Sequence, residues 1–232
     1  MAYRGGVDVS RVLKVSGPVK TALTIILQHE DWRNIPTYAG TIVDLALDDL
    51  DFALLTDSRH FHLSSFYLQK GLNPQVPKLF KKVKEAGLTI SLDTNDDPDD
   101  RWEGQLYESL QYVDVFLPNA REAKKIARTD NLDVAVAKLA EIVPTVVIKP
   151  GAGRSDGAAR ERENRVSRAE GGLCDPVGAG DSFDAGFLHQ FVRSAYLRTC
   201  LASGNRAGAF STTRAGGTEA FRDREYLEKF FG

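Results

Sequence analysis

The spacing of apolar and polar residues changes character partway along the chain. From Val7 to about Leu47, β-branched residues occur in short runs separated by turn residues such as Gly17 and Pro18. Runs of this kind predict several short antiparallel strands, among them 11–15 and 22–27. The first part of the chain, residues 1–47, is therefore expected to be rich in β-structure.

From His60 onward, apolar runs typical of strands alternate with segments of helical spacing. Alternation of this kind implies a parallel sheet with right-handed crossovers. Residues 48–232 are therefore expected to form a larger α/β unit. The predicted strands are 60–66, 88–92, 113–117 and 145–148, and the predicted helices are about 74–86, 102–110, 119–127 and 132–142.

The last third of the chain begins with a segment rich in Gly and Arg, 151–165, which is interpreted as a loop or a hairpin. Two predicted helices follow, at about 180–194 and 196–210. The second carries apolar residues around much of its circumference, which is typical of a buried helix.

The composition is that of a globular protein, with 232 residues, 42% hydrophobic and 27% charged positions, and a formal net charge of -2. This charge gives no reason to expect nucleic acid or a membrane as the main partner, so a small-molecule role fits better. Cys174 and Cys200 lack the spacing of a disulfide framework or a zinc site. No stretch has the character of a signal peptide or a membrane span, so the expected location is the cytoplasm.

The most informative stretch is D-P-V-G-A-G-D-S-F-D-A-G-F, from Asp175 to Phe187. Gly178 and Gly180 flank Ala179 directly before a predicted helix, so backbone N–H groups can converge at a positive helix terminus. Such a geometry suits phosphate. The stretch is neither a Walker loop nor a dinucleotide fingerprint. For an isolated G-A-G-D, a helix capped by glycine and carboxylate is an equally good interpretation.

The longer string resembles the C-terminal signature of the ribokinase (phosphofructokinase-B) family of ATP-dependent sugar kinases, D-x-x-G-A-G-D followed by x-F-x-x-G. The resemblance implies that Asp181 is the catalytic base for the sugar hydroxyl. It also implies that Gly178, Ala179 and Gly180 form the anion hole for the transferring phosphoryl group. The implied fold is a three-layer α/β/α sandwich with a mainly parallel central sheet and a small β-rich lid.

A second match, at Asn119 and Glu122, resembles the family's N-x-x-E motif, which organises Mg²⁺ and the ATP phosphates. By this resemblance Glu122 acts on Mg²⁺ through water, which suits a metal that gives up its hydration reluctantly. The same two residues are also a routine helix start, with Asn as N-cap and Glu at the third helical position.

Two weaker similarities concern the nucleotide. Lys149 and Gly151 belong to a turn that resembles the family's nucleotide-binding turn, and an ordinary strand-ending turn is an equal alternative. Asn205 lies where the family places an Asn near the adenine. For the glycines around it, Gly204 and Gly208, close helix packing is the preferred interpretation.

The resemblance also implies a K⁺ site beside the anion hole, because backbone oxygens suit this ion. Its members are the carboxylate of Asp175, the carbonyl of Val177, and carbonyls near Ser211, Arg214 and Gly216.

Two polar groups remain outside these motifs. The acidic run 93–100 follows a predicted strand, where ligands bind in open α/β sheets, but solvated turn carboxylates are the preferred interpretation. Asp97 replaces the arginine of the D-x-N-x-R string found in some sugar kinases of the family. His60 and His62 alternate on one strand, which could place both on one face, and no metal is assigned to them.

The family's first large-sheet strand, its sugar-gripping Asp and its Gly-Gly motif have no counterpart before Val7. Residues 1–47 are therefore expected to be a partial lid, and this chain is expected to be a weak kinase of reduced stability. The leading hypothesis is a kinase that acts on a sugar or nucleoside with ATP and Mg²⁺, with a homodimer through the lid as a further expectation. The alternative is a non-catalytic nucleotide-binding or lid-dimerisation module.

Overall fold

The computed structural model describes residues 7–29, 32–149 and 174–231. Four parallel strands form its main sheet, and each strand lies beside the next one along the chain. The predicted parallel sheet is therefore confirmed. The strands are β5 (His60–Leu63), β6 (Thr89–Leu92), β7 (Val115–Phe116) and β8 (Thr145–Val146).

Helices connect these strands and follow the sheet, close to the predicted positions. The segment 151–165 lies outside the described residues. The helices are α1 (Ala53–Thr56), α2 (Val76–Glu85), α3 (Leu106–Leu110), α4 (Ala120–Ile126), α5 (Leu132–Ala140), α6 (Ala179–Phe191), α7 (Leu197–Ser211) and α8 (Arg224–Phe231).

Successive residues of the central strands face opposite layers, as the period of a strand requires. Phe116 is fully buried in the core shared with α2 to α5. Its neighbour Val115 is fully buried in a second core with Phe183 and Phe187 of α6. The sheet thus has a helical layer on each face, which confirms the three-layer α/β/α prediction.

The helices α6 and α7 pack closely because small residues line their contact. A Cβ atom on Gly186 would lie 2.6 Å from the carbonyl oxygen of Ser203, and one on Gly204 would lie 2.9 Å from the ring of Phe183. Neither position has room for a side chain. The packing interpretation of Gly204 is therefore supported.

The β-rich opening contains several short antiparallel strands, as predicted, and they pair as a hairpin. Strands β1 (Leu23–Thr24) and β4 (Thr37–Tyr38) pair antiparallel, and β2 (Leu27–His29) pairs with β3 (Trp32–Asn34) in the same register. The strand predicted at 11–15 is wrong, because no segment of the described chain pairs with it.

The last helix, α8, was not predicted from the sequence. It packs through aromatic rings, since Tyr226, Phe230 and Phe231 all contact Phe210 of α7 with ring centroids 4.8–5.3 Å apart. Among the described residues, no helix has the length and apolar character needed to cross a membrane.

Candidate active site

The carboxyl ends of the parallel strands bring several predicted site residues to one edge of the sheet. Asp93 directly follows β6, and its amide donates to the carbonyl of Leu63 at 3.0 Å. Asn119 and Lys149 form a parallel bridge beyond the ends of β7 and β8. This is the edge at which open α/β sheets bind ligands.

The first turn of α6 carries the predicted anion hole. Gly178 has φ +76°, and a Cβ atom there would lie 2.6 Å from the Cα of Gly217, so both the backbone conformation and the space require glycine. The amide of Ala179 donates to Pro176 at 3.2 Å, and that of Ser182 donates to Gly178 at 2.9 Å. Helix geometry leaves the amides of Gly180 and Asp181 without intrahelical acceptors, as at any helix N-terminus.

Asp181 lies in this first turn and is exposed to solvent. Surrounding protein and the negative charge of Asp93 raise the pKa of its carboxyl group, whereas the positive charge of Lys149 opposes this rise. The group is therefore a somewhat stronger base than an isolated aspartate.

Lys149 forms a buried ionic bridge between the sheet and α6. Its Nζ atom lies 2.6 Å from Oδ2 of Asp93 and 3.3 Å from Oδ2 of Asp184. All three side chains are at most 7% exposed. Oδ1 of Asp184 is also buried and accepts no hydrogen bond from the described residues.

The charges of this bridge depend on one another. Burial alone would lower the pKa of Lys149, but the carboxylates of Asp184, Asp93 and Glu122 raise it to about 12. Burial raises the pKa of Asp184 well above its usual range, and Lys149 only partly offsets this. Lys149 is therefore a permanent cation in a nearly dry environment.

Asn119 and Glu122 form the capping box that their spacing predicts. Oδ1 of Asn119 accepts from the amide of Glu122 at 3.0 Å, and Oε2 of Glu122 accepts from the amide of Asn119 at 2.8 Å. Burial raises the pKa of Glu122 to about 7, although Lys149 lowers it. The N-cap interpretation is thus confirmed, and the carboxyl group still lies at the edge of the sheet where the bridge is.

Asp175 joins the turn before α6 to the turn after α7. Oδ1 accepts from the amide of Val177, and Oδ2 accepts from that of Gly216, both at 2.9 Å. The hydroxyl of buried Ser211 donates to Gly208, and Arg214 pairs with Asp223 at 2.6 Å. The structure therefore brings the two segments of the predicted K⁺ site together.

The other predicted nucleotide contacts are Asn205, Gly151 and Lys149. Asn205 is half-buried in the middle of α7, and Gly151 lies outside the described residues. The side chain of Lys149 is occupied by two carboxylates, so a nucleotide contact would be made most simply by its backbone.

Sequence reasoning was wrong about part of the acidic run. Asp93 is buried in the bridge, and buried Asp97 accepts from three amides, those of Asp99, Arg101 and Trp102. Neither is a solvated turn carboxylate, because each is surrounded by donors.

Asp184 was missed altogether. A signal for it exists in the sequence, since it follows Asp181 by three residues and therefore lies on the same side of α6. For Asp93, the signal is its place directly after a buried strand.

Comparison with known proteins agrees with this geometry. The model of the pfkB family carbohydrate kinases matches residues 3–224. An uncharacterized sugar kinase of Archaeoglobus fulgidus is 26% identical over 93% of this chain and 85% of its own length. Fructoselysine 6-kinase of Escherichia coli is 28% identical over 89% of this chain and 73% of its own length.

Solved structures share the fold at lower identity. Adenosine kinase from Sinorhizobium meliloti has a TM-score of 0.78 and 21% identity, over 88% of this chain. A ribokinase II from E. coli, described as a complex with ATP and Mg²⁺, has a TM-score of 0.71 and 21% identity, over 91% of this chain and 72% of its own.

The chain spans 64% of the adenosine kinase, so only part of that enzyme has a counterpart here. The family model nevertheless covers nearly the whole sequence, and the named relatives are kinases. The chain belongs to the pfkB family of carbohydrate kinases, which are phosphotransferases with an alcohol group as acceptor.

Proposed function

We propose that this chain transfers the γ-phosphoryl group of ATP to a hydroxyl group of a sugar or nucleoside. The observation that carries the proposal is the position of Asp181 in the first turn of α6, beside Lys149 and the carboxyl edge of the sheet. A carboxylate and a positive helix terminus at one point supply a proton acceptor and an anion site together. The kinase names of the relatives support the same reaction class.

The anion hole is assigned to Gly178, Ala179 and Gly180. Phosphoryl transfer needs positioned positive charge around the transferring group more than it needs covalent chemistry. The helix terminus provides such charge, and the left-handed backbone at Gly178 lets the chain turn into the helix there.

Asp181 is assigned as the base that takes the acceptor's hydroxyl proton. Its raised pKa favours this role, because a base works best when its pKa approaches the working pH. Its exposure to solvent leaves it open to a substrate.

Mg²⁺ is assigned to the edge beside Asn119 and Glu122. The described residues contain no cluster of three metal-binding side chains. Both oxygens of Glu122 accept hydrogen bonds from Asn119. This arrangement fits a metal that is held mainly by phosphates and water, with Glu122 acting through water. When bound, Mg²⁺ neutralises charge on the phosphates. The backbone of Lys149, together with Gly151 and Asn205, completes the proposed nucleotide site.

A K⁺ site is proposed between the turns that Asp175 joins. Asp175 accepts hydrogen bonds from the amides of Val177 and Gly216, so the turn before α6 lies close to the turn after α7. The carbonyl groups of Val177 and Gly216 and those near Ser211 and Arg214 are assigned as the further ligands. Neutral carbonyls around one carboxylate suit a monovalent ion better than a divalent one. Exchange of K⁺ for a large organic cation such as tetramethylammonium should lower activity if the site is used.

Residues 1–47 are proposed to be a lid domain, and residues 48–232 the nucleotide-binding and catalytic domain. Leu23 and Tyr38 of the hairpin are 60% and 53% exposed, and about half of the surface of Ile25 and of Ile35 is exposed. Apolar exposure on this scale supports closure over a substrate or a homodimer through the lid. Sedimentation at increasing concentration distinguishes a dimer from a monomer.

The proposal is tested by two measurements on the same sample. Calorimetric titration with Mg-ADP should show one saturable site. A coupled assay for ADP release should then show turnover with at least one member of an acceptor panel that contains ribose, fructose, a keto-deoxy sugar acid and adenosine. A folded sample that binds no Mg-ADP removes the proposal.

A further inference from the structure

The bridge of Asp93, Lys149 and Asp184 connects three elements of the fold through side chains. Asp93 follows β6, Lys149 lies beyond β8, and Asp184 is one turn into α6. Two strand ends of the sheet are thereby fixed to the first turns of one helix.

Lys149 also lies against the proposed anion hole. A Cβ atom on Gly180 would be 3.6 Å from its Nζ atom and 3.9 Å from its Cε atom. The side chain of Lys149 therefore packs against the first turn of α6, which is the turn that carries Asp181. Because its side chain is only 7% exposed and contacts two carboxylates, it has little surface left for a ligand.

We propose that Lys149 is a positioning residue, and that its bridge to Asp93 and Asp184 fixes the first turn of α6 against the sheet and thereby orients Asp181 and the neighbouring amides. The catalytic consequence of this role rests on the proposed function. The local anchoring of α6 by Lys149 is independent of the proposed function.

A charged bridge suits this orienting role. The contacts of a buried cation with two carboxylates have a defined direction. A shift of about 1 Å at a reacting group can lower a rate by roughly 10²-fold. A bridge that keeps the first turn of α6 in one position therefore helps to maintain the rate.

The test compares Lys149→Met with Lys84→Met. Lys84 forms an ion pair with Asp114 at 2.9 Å, at the opposite end of the sheet, so it controls for the loss of a lysine–aspartate pair at a more exposed position. The readouts are hydrogen exchange at the Ser182 amide, which donates to Gly178, exchange within α5, and affinity for Mg-ADP.

Lys149→Met should speed exchange at Ser182 more than roughly tenfold while α5 changes much less, because the anchor is local. The affinity of Lys149→Met for Mg-ADP should fall as well. Lys84→Met should change neither the exchange rate at Ser182 nor the affinity for Mg-ADP. Lys149→Arg keeps the positive charge, so its exchange rate and its affinity should lie closer to those of the unmodified chain.

Asp184→Asn is the second variant, because it keeps the 2.6 Å pair of Lys149 with Asp93 and so preserves most of the bridge. It should give intermediate effects, and its effects should not add to those of Lys149→Met. If Lys149→Met does not fold, the exchange rate at Ser182 in Asp184→Asn tests the anchoring role instead.

Equal exchange at Ser182 in Lys149→Met and Lys84→Met, or additive effects of Lys149→Met and Asp184→Asn, would overturn the proposal. Absence of Mg-ADP binding by the unmodified chain would instead count against the proposed function, and the exchange measurements would still decide the anchoring role.

Discussion

Oδ2 of Asp175 accepts a hydrogen bond from the amide of Gly216 at 2.9 Å. Its other oxygen accepts from Val177, so a single carboxylate holds the turn that leads into α6 against the turn that follows α7. The segment that we propose as the phosphate loop, from Asp175 to Asp181, is thus held by Asp175 at its start, and the Lys149 bridge contacts α6 one turn later.

Asp175→Ala should lower the free energy of unfolding by about 1–3 kcal/mol, because two partly buried amides lose their acceptor. Chemical denaturation measures the change. Asp8→Ala is a matched control, since Asp8 also accepts an amide, that of Ser10 at 2.8 Å, but on the surface. If both variants lose the same stability, Asp175 is only a surface turn residue.

The sequence predicted the sheet well because its strands are buried and bounded by turn residues. Ile90 and Leu92 are fully buried, and such apolar runs have few alternatives. The sequence prediction failed at 11–15, where the β-branched residues have no pairing partner in the described chain. Propensity cannot supply a partner, because strand formation depends on a second segment.

The two glycines of the proposed anion hole should differ in how substitution by alanine changes stability. Gly178→Ala places a Cβ atom at positive φ and 2.6 Å from Gly217, so it should cost about 2 kcal/mol or more of folding free energy. Gly180→Ala makes only ordinary contact with Lys149, so its stability should be unchanged or raised by less than about 1 kcal/mol.

Gly180→Ala should nevertheless lower turnover by roughly tenfold or more, because the added methyl group contacts Lys149 at the turn that is proposed to hold the phosphoryl group. Denaturation curves and affinity for a non-hydrolysable ATP analogue measure the two effects separately. A stable Gly180→Ala protein with unchanged affinity and rate would show that this turn is only a helix cap.

His60 should make stability depend on pH. Burial, with the charge of His62, lowers the pKa of His60 to about 4, against a small opposing effect of Asp114. Unfolded His titrates near 6.5, so the unfolded state binds more protons, and stability is lost as pH falls from about 6.5 to 4. The partial exposure of His60 limits its share to about 1–2 kcal/mol.

His60→Asn should therefore flatten the fall in stability over this pH range, as measured by denaturation at pH 7, 6, 5 and 4. The control is His189→Asn, because His189 is exposed on α6. An unchanged slope in His60→Asn would mean that other groups cause the acid sensitivity.

The motifs predicted the capping box, which the structure contains, and the segment proposed as the phosphate loop, but they did not predict the bridge of Asp93, Lys149 and Asp184. Asp93 and Lys149 are far apart in sequence, and their contact exists only because β6 and β8 end at the same edge of the sheet. Local patterns reveal residues that act within one turn. Contacts that depend on strand order become visible only in the folded chain.

Asp181→Asn tests the central claim most directly. The substitution removes the proton acceptor and keeps the shape, so turnover of Mg-ATP with the best acceptor of the panel should fall by about 10²–10⁴-fold. Affinity for Mg-ADP should stay nearly unchanged, because backbone amides hold the nucleotide. Retention of more than about a tenth of the rate would contradict the account and leave Asp181 as an acidic residue that stabilises the first turn of α6 through the helix dipole.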